Sequence, residues 1–421
     1  MKTTSPLVLT IASLGFAVSL QAADPANARV PVTRFGAVGD GETINTPAIQ
    51  KTIDSLAAKG GGTVEIPEGV FMSGALFLKP GVNLHLARGA VLRCLTDMKH
   101  FPERRTRIEG HFAQSFNPAL INADGCDGLQ ITGEGTLDGN GRPIWDAFWK
   151  GLKADKNFRN LDLPRARLDL IENSKNVTVR GITFMNSQFW SLHIYNCEEV
   201  LVEKVRFRVP DDYEAPCGDG VTLDSCRNAV IRDCWFSVTD DSIALKGTKG
   251  PFALEDKASP PVENVRVNGC VFQRGHHAVA CGSEATIVRD IVIENCVVKG
   301  AMPLFRAKLR PDTPQRYENI TFRNIVFENP GASIFDISPW TQYFDLMGQP
   351  PPASTVRNVT VSGVTGTLGS LGRITGHERA EILDITLENV DVKAGNTDFQ
   401  ASDKVRNMRM RNVKVNGTPY P

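Results

Sequence analysis

The sequence predicts an all-β fold: a single-stranded right-handed parallel β-helix, a solenoid, with a short N-terminal capping helix. Three observations lead there. From residue 177 an apolar-x-apolar triplet, two mostly polar residues and a second such triplet recur, as in Val177-Thr178-Val179-Arg180-Gly181-Ile182-Thr183-Phe184 and Val200-Leu201-Val202-Glu203-Lys204-Val205-Arg206-Phe207. Successive copies start 23 to 39 residues apart. An Asn or Asp precedes nearly every copy, at Asn176, Asn228, Asn264, Asp290, Asn319, Asn358, Asp384 and Asn407, with Glu199 as the exception. Period-two alternation means strands with one face turned inward. A unit of this length means one supersecondary turn per coil, and stacked coils place like residues in columns. An up-and-down barrel would also alternate, but it would not keep one residue type at the same turn in unit after unit.

The elements follow in order. Residues 1–23 read as a signal peptide, with Lys2 as the positive end, Pro6 to Leu20 as the apolar stretch and Gln21-Ala22-Ala23 as the cleavage zone. The expected product is exported, periplasmic or extracellular, and begins near Asp24. The remainder, 24–421, reads as one unit, because no shift in composition marks a second domain. Residues 46–59 read as a short amphipathic helix with Thr46 as N-cap and Pro47 at its first position, closed by Gly60-Gly61-Gly62. It is expected to plug the N-terminal end of the stack. Residues 64–140 supply less regular coils, such as Val82-Asn83-Leu84-His85-Leu86. The aromatic residues Trp145, Phe148 and Trp149 are expected to pack a loop rather than stack on a ligand.

Six of the nine cysteines fall on the repeat: Cys234, Cys270 and Cys296 at one inward position, Cys126, Cys197 and Cys226 at another, three residues before a strand. Buried thiols filling small apolar sites and disulfides between stacked pairs such as Cys197–Cys226 are both compatible with that spacing. No paired Cys-x-x-Cys or His-x-x-x-His spacing suggests zinc.

Lys plus Arg equals Asp plus Glu, at 47 each, so no global field recruits nucleic acid or a membrane surface. No cofactor or metal is expected, and a monomer is. Charge is instead concentrated at one point of successive units. Asp219 lies in Cys217-Gly218-Asp219-Gly220, Asp240 and Asp241 follow Thr239, His276 lies in Gly275-His276-His277, and Arg306 and Lys308 flank Ala307. A short apolar strand follows the first two, Val221-Thr222-Leu223 and Ile243-Ala244-Leu245. On rungs about 4.8 Å apart these residues would gather three carboxylates, an imidazole and two cations. Paired carboxylates suit acid–base hydrolysis of a sugar linkage, and the cations suit an anionic sugar.

With those motifs in view, the chain resembles the polygalacturonases of glycoside hydrolase family 28. Phe35-Gly36-Ala37-Val38-Gly39-Asp40-Gly41 is similar to the family's opening segment, and Leu137-Asp138-Gly139-Asn140-Gly141 with Trp145 to its next landmark. Phe189-Trp190-Ser191-Leu192-His193 is similar to the stretch before the active coils, and the four charged motifs then follow in family order. The resemblance implies hydrolysis of α-linked galacturonic acid in pectin, with inversion. It implies Asp240 as general acid, Asp219 and Asp241 as activators of water, His276 as keeper of their protonation, and Arg306 and Lys308 as uronate ligands. Departures lie beside these residues: Cys217-Gly218 for Asn-Thr, Thr239 for a small or amide residue, His277 for Gly and Ala307 for Ile. They leave open a rhamnogalacturonan-type substrate. A polysaccharide lyase, or a non-catalytic carbohydrate binder, is the alternative from another class, separated by product chemistry and by turnover. Two long units carry extra residues at Thr248–Pro261 and Pro339–Ser354, expected to wall off one end of the cleft and favour attack from a chain end.

Overall fold

The computed structural model describes residues 28–420; the segment read as a signal peptide lies outside them. Strands stack in register, and every ladder is parallel except the hairpin Arg104–Ile108/His111–Phe116 and the final pair. The chain is a parallel β-helix, as its repeat predicts. One inward column runs Val177, Val200, Ala229, Val265, Ile291, Ile320, Val359, Ile385, each paired with the next. Another stacks Phe184, Phe207, Phe236 and Phe272 with ring centroids 5.0–5.5 Å apart. The main buried apolar core follows the axis from Val32 to Val415, with two small clusters beside it around Ile108 and Trp145. Burial at about 25 cal/mol per Å² of apolar surface makes this column of side chains the main stabilising term.

An Asn column suggests side-chain amides that satisfy turn backbone groups rung after rung, but its cause here is different. These side chains bond chiefly to one another. Nδ2 of Asn264 donates to Asn228 (2.7 Å), Asn319 to Asp290 (2.9 Å) and Asn358 to Asn319 (3.0 Å). Their backbones sit in the left-handed region, with φ of 54–60° from Asn228 to Asn358. Asn and Asp tolerate that region better than other residues with a Cβ, so the column marks a corner of the coil.

All nine cysteines are free thiols, and eight are buried. Cys234, Cys270 and Cys296 occupy the predicted inward column, next to the paired residues Trp235, Val271 and Val297. Here they serve as small fillers.

Two helices stand outside the ladder. α1 spans Thr46–Ala57 and buries Ile49, Ile53 and Leu56 against the first coil. Its N-cap is Asn45, not Thr46. Thr46 is already helical, and its hydroxyl instead accepts a hydrogen bond from the Gly74 N–H at 2.7 Å. α2 spans Arg142–Ala154, where a loop was expected. Its Trp145 is fully buried and donates from Nε1 to the Ser187 carbonyl at 2.9 Å. Gly139 fits because a Cβ there would come within 2.3 Å of the Asn186 carbonyl oxygen.

Candidate active site

Four neighbouring strands of one sheet position the charged residues: β1 (Val221–Asp224), β2 (Asp241–Lys246), β3 (His277–Cys281) and β4 (Pro303–Leu309). Register sets who meets whom. Val221 pairs with Ile243 and Asp241 with His277, so Asp219, Asp241 and His277 form one column at the start of these strands. Asp240 lies beside it, and its carbonyl accepts the His276 N–H at 2.9 Å. Carboxylate oxygens of Asp219, Asp240 and Asp241 all lie within 4.8 Å of one another. They floor a cavity of about 350 Å³.

Positive groups surround the acids. Asp241 receives the Lys308 ammonium at 2.7 Å on one oxygen and lies 2.6 Å from His277 Nδ1 on the other. Lys246 Nζ stands 3.7 Å from Asp219 and 3.3 Å from Glu284. His276 Nδ1 is 3.4 Å from Asp240, and its Nε2 is 3.4 Å from Glu214. The same three carboxylates have the spacing of a cation site. Lys308 and Lys246 already stand beside two of them, so ammonium groups supply the charge balance.

These neighbours separate the carboxyl groups chemically. Burial, and then the Asp240 charge, push Asp219 up to about 8. Burial pulls Asp241 upward too, but Lys308 and His277 override it and hold that carboxyl far below the usual range. Asp240 is likewise raised by burial and then brought below its ordinary value by the His276 hydrogen bond. That bond in turn lifts His276 to about 9. Burial disfavours both ammonium ions, yet Glu284 and Asp219 keep Lys246 charged, and Asp241 does the same for Lys308. The cluster thus holds one carboxylic acid among carboxylates. Of the three, Asp240 is the most open to the cleft, at 26 % side-chain exposure against 3 % for Asp219 and 1 % for Asp241.

The predicted cations part company. Lys308 lines the cavity, whereas Arg306 lies to one side. Arg306 Nη1 donates to the Asp336 carboxylate and carbonyl and to the Ser338 hydroxyl. Sequence reasoning also placed His276 one rung on from the Asp pair without giving His277 a task. His277 holds Asp241 directly, and the signal was the alignment of His277-Ala278-Val279 with Asp241-Ser242-Ile243 on adjacent coils, which puts residue 277 in the column of 241. Lys246, Glu284 and Trp190 also line the cavity and were missed. Lys246 was legible as the outward residue at the end of Ile243-Ala244-Leu245; Glu284 lies in a loop no periodicity reaches.

Two of the sequence departures explain each other. A Cβ on Gly218 would lie 2.5 Å from Thr239 Oγ1, which donates to the Ala215 carbonyl at 2.8 Å. The larger residue at 239 therefore requires the glycine at 218.

The walls also differ from expectation. Trp340, Gln342 and Tyr343 of the second insertion line the cavity as predicted. The first insertion does not line it, because its polar groups are engaged elsewhere. Thr248 Oγ1 bonds Asp256 at 2.6 Å, Ser259 bonds Ser225 at 3.0 Å, and the Ala258 carbonyl accepts the Tyr195 hydroxyl. It buttresses the hairpin instead. Arg107 of that hairpin is fully buried, bonding Asp224 at 2.9 and 3.2 Å and Thr248 at 3.1 Å. The hairpin turn then supplies Glu109 to the cavity. Phe148 and Trp149 of α2, with Phe158 and Asn160 beyond it, complete the wall. Asn160 donates to Glu109 at 3.0 Å, and the Arg159 guanidinium lies 5.7 Å from the Tyr343 ring, so the three segments meet around one end of the cleft.

Comparison with known proteins agrees with this arrangement. A family profile described as Glycosyl hydrolases family 28 matches residues 44–415. An exo-poly-alpha-D-galacturonosidase of Dickeya chrysanthemi is 27% identical over 404 residues, covering 84% of this chain and 65% of its own length, so the chain spans just under two thirds of that relative. An exopolygalacturonase of Zea mays is 25% identical over 379 residues, covering 87% of this chain and 84% of the relative. Among solved structures, a hyperthermoactive exopolygalacturonase of Thermotoga maritima shares the fold, with a TM-score of 0.79, 24% identity and 93% of each chain covered.

Proposed function

The chain belongs to the glycosyl hydrolases of family 28, and from that premise we propose that it hydrolyses α-linked galacturonic acid in pectin, attacking from a chain end. The observation that carries the reading is the triad of carboxylates within 4.8 Å at the floor of a cation-bordered cavity. The names of the relatives from Dickeya and maize support the substrate class. Lys308 supplies positive charge at the cleft, and Arg306 with Trp340 adds to it from the side, which suits a uronate carboxylate.

The protonation pattern supports a division of labour. In the empty cleft the shared proton rests on Asp219, while Asp240 is the group exposed enough to reach a glycosidic oxygen. Transfer of that proton within the cluster arms Asp240 as general acid and leaves Asp219 ionised. Asp219 and Asp241 then take a proton from the attacking water as Asp240 gives one to the leaving oxygen. So close a carboxylate group is commonly read as retaining, since inverting pairs stand about 6.5–9.5 Å apart. Here the third carboxylate offers a place for water beside the acid, and inversion is the outcome we favour. A lyase would need a neutral amine as base, and both Lys246 and Lys308 are held charged.

Chain-end attack is supported by the closed end of the cleft and by its volume, near the bottom of the roughly 300–1,000 Å³ range of small-ligand sites. Lys2, the apolar stretch to Leu20 and Gln21-Ala22-Ala23 support export to the periplasm or beyond. The test is product analysis on polygalacturonate and rhamnogalacturonan side by side, with NMR of the first-formed anomer. Saturated β-anomeric galacturonate from the first substrate is expected. Unsaturated products, α-anomeric product or cleavage confined to rhamnogalacturonan would each overturn the corresponding part.

A further inference from the structure

A second groove, of about 650 Å³, lies across the turn from the catalytic cleft, and the two share no lining residue. Its floor comes from strands Arg206–Arg208, Trp235–Ser237 and Val271–Arg274, which precede the catalytic turns in successive coils. Arg206 pairs with Trp235, and Arg208 with Ser237, which pairs with Arg274. Lys299 borders the next coil. Cationic side chains therefore line the groove along the solenoid axis, with Asp211 as the acid facing them.

These cations are not equivalent. Arg274 is spent on the Pro210 and Tyr213 carbonyls and on Glu214, and Lys299 pairs with Glu328 at 3.3 Å. Arg206 and Arg208 have no acidic partner among the described residues. The Arg206 guanidinium lies over the Trp235 ring at 4.4 Å, a cation–π contact that holds it in the groove and leaves its N–H groups available for a forked carboxylate contact. On the adjacent strand, opposite Arg208, the Ser237 hydroxyl is buried, lines the groove and has no hydrogen-bond partner. A buried hydroxyl without a partner is costly unless a ligand supplies one.

We propose that this groove is a second binding site for an acidic polysaccharide, holding uronate residues of a pectic chain away from the scissile bond. Arg206 and Arg208 engage its carboxylates, and Ser237 engages a hydroxyl or carboxylate oxygen beside Arg208. The inference rests on the substrate class proposed above. Glu214, paired with both Arg274 and His276, stands between the groove and the cleft. A chain held in the groove is thereby kept close to the catalytic turn, raising the local concentration of chain ends.

The experiment is affinity electrophoresis of the mature protein in gels containing polygalacturonate, with the cleft saturated by digalacturonate, beside hydrolysis of a short oligogalacturonide. Wild type is expected to remain retarded, and Arg206→Ala/Arg208→Ala to lose about five- to tenfold in affinity, most clearly at low salt. Its kcat/KM on the oligogalacturonide should match wild type, which also reports an intact fold. Loss of all wild-type retardation when the cleft is filled, or equal retardation of the variant, overturns the groove. Failure of wild type to cleave the oligogalacturonide overturns the proposed activity instead, and a groove-dependent retardation would still stand.

Discussion

Asp240 is where the electrostatics of the cluster become chemistry, since it alone combines exposure with a neighbour able to hand it a proton. Asp240→Asn is expected to lower kcat by about 10²–10⁴-fold or more while oligogalacturonide still binds. Near-wild-type turnover in the folded variant would remove Asp240 from the role of acid. The pH dependence follows from Asp219, whose proton is held up to about 8 by burial and by Asp240. kcat/KM of the free enzyme should therefore fall as pH rises through about 8, and an alkaline limb two units lower would show that another group carries the proton. Folding stability shifts in the same direction. Asp219 and His276 bind protons more tightly folded than unfolded, so their contribution is complete at low pH. It drains away above the ordinary carboxylate range for Asp219 and between about 6.5 and 9 for His276. Asp224, lowered to about 2 by Arg107 and His193 against the pull of burial, works oppositely. Its contribution is present above the ordinary value and lost in strong acid.

The element that repeats is a coil, and its corners and its core make different contributions. Asn319 sits at an exposed corner with φ of 59°, bonded to Asp290 below and to Asn358 above. Asn319→Ala should cost about 1–2 kcal/mol, mainly from placing an alanine in the left-handed region. Asn319→Gly should cost less, and denaturant titration of the two side by side separates backbone conformation from the amide ladder. Equal losses would make the ladder the larger effect. In the core, Phe236 is stacked between Phe207 and Phe272 at 5.0 and 5.5 Å. Phe236→Ala is expected to cost about 3–5 kcal/mol, because a rigid stack of coils cannot close over the void. Both effects were legible in outline, since columns of Asn and Phe appear in the repeat. The left-handed backbone was not, because a side chain that bonds and a side chain that merely tolerates a φ leave the same letter in the sequence.

For the molecule as a whole, the closed end of the cleft decides the pattern of products. Wild type should release monomer or one short oligomer from the outset and lower the viscosity of polygalacturonate slowly. Replacing residues 341–347 by a short glycine linker removes Tyr343 and its contact with Arg159, and internal cleavage should then increase, read as faster viscosity loss per reducing end formed. Rapid viscosity loss by wild type would mean that these walls leave the cleft open. The sequence by itself determined the β-helix, because a period-two pattern repeated coil after coil admits one way of burying its apolar columns. It also determined that Asp219, Asp240 and Asp241 meet, since residues at like positions of adjacent coils must stack. The tertiary structure alone decided which cation serves them, drawing Lys308 to Asp241 and Arg306 to Asp336. It alone brought in Glu284, Glu109 and Asn160, and turned the first insertion from wall to buttress. The reason is physical: the repeat fixes positions along strands through backbone pairing, whereas loops are placed by long-range contacts such as Arg107 with Asp224, 117 residues apart, which leave no period in the chain.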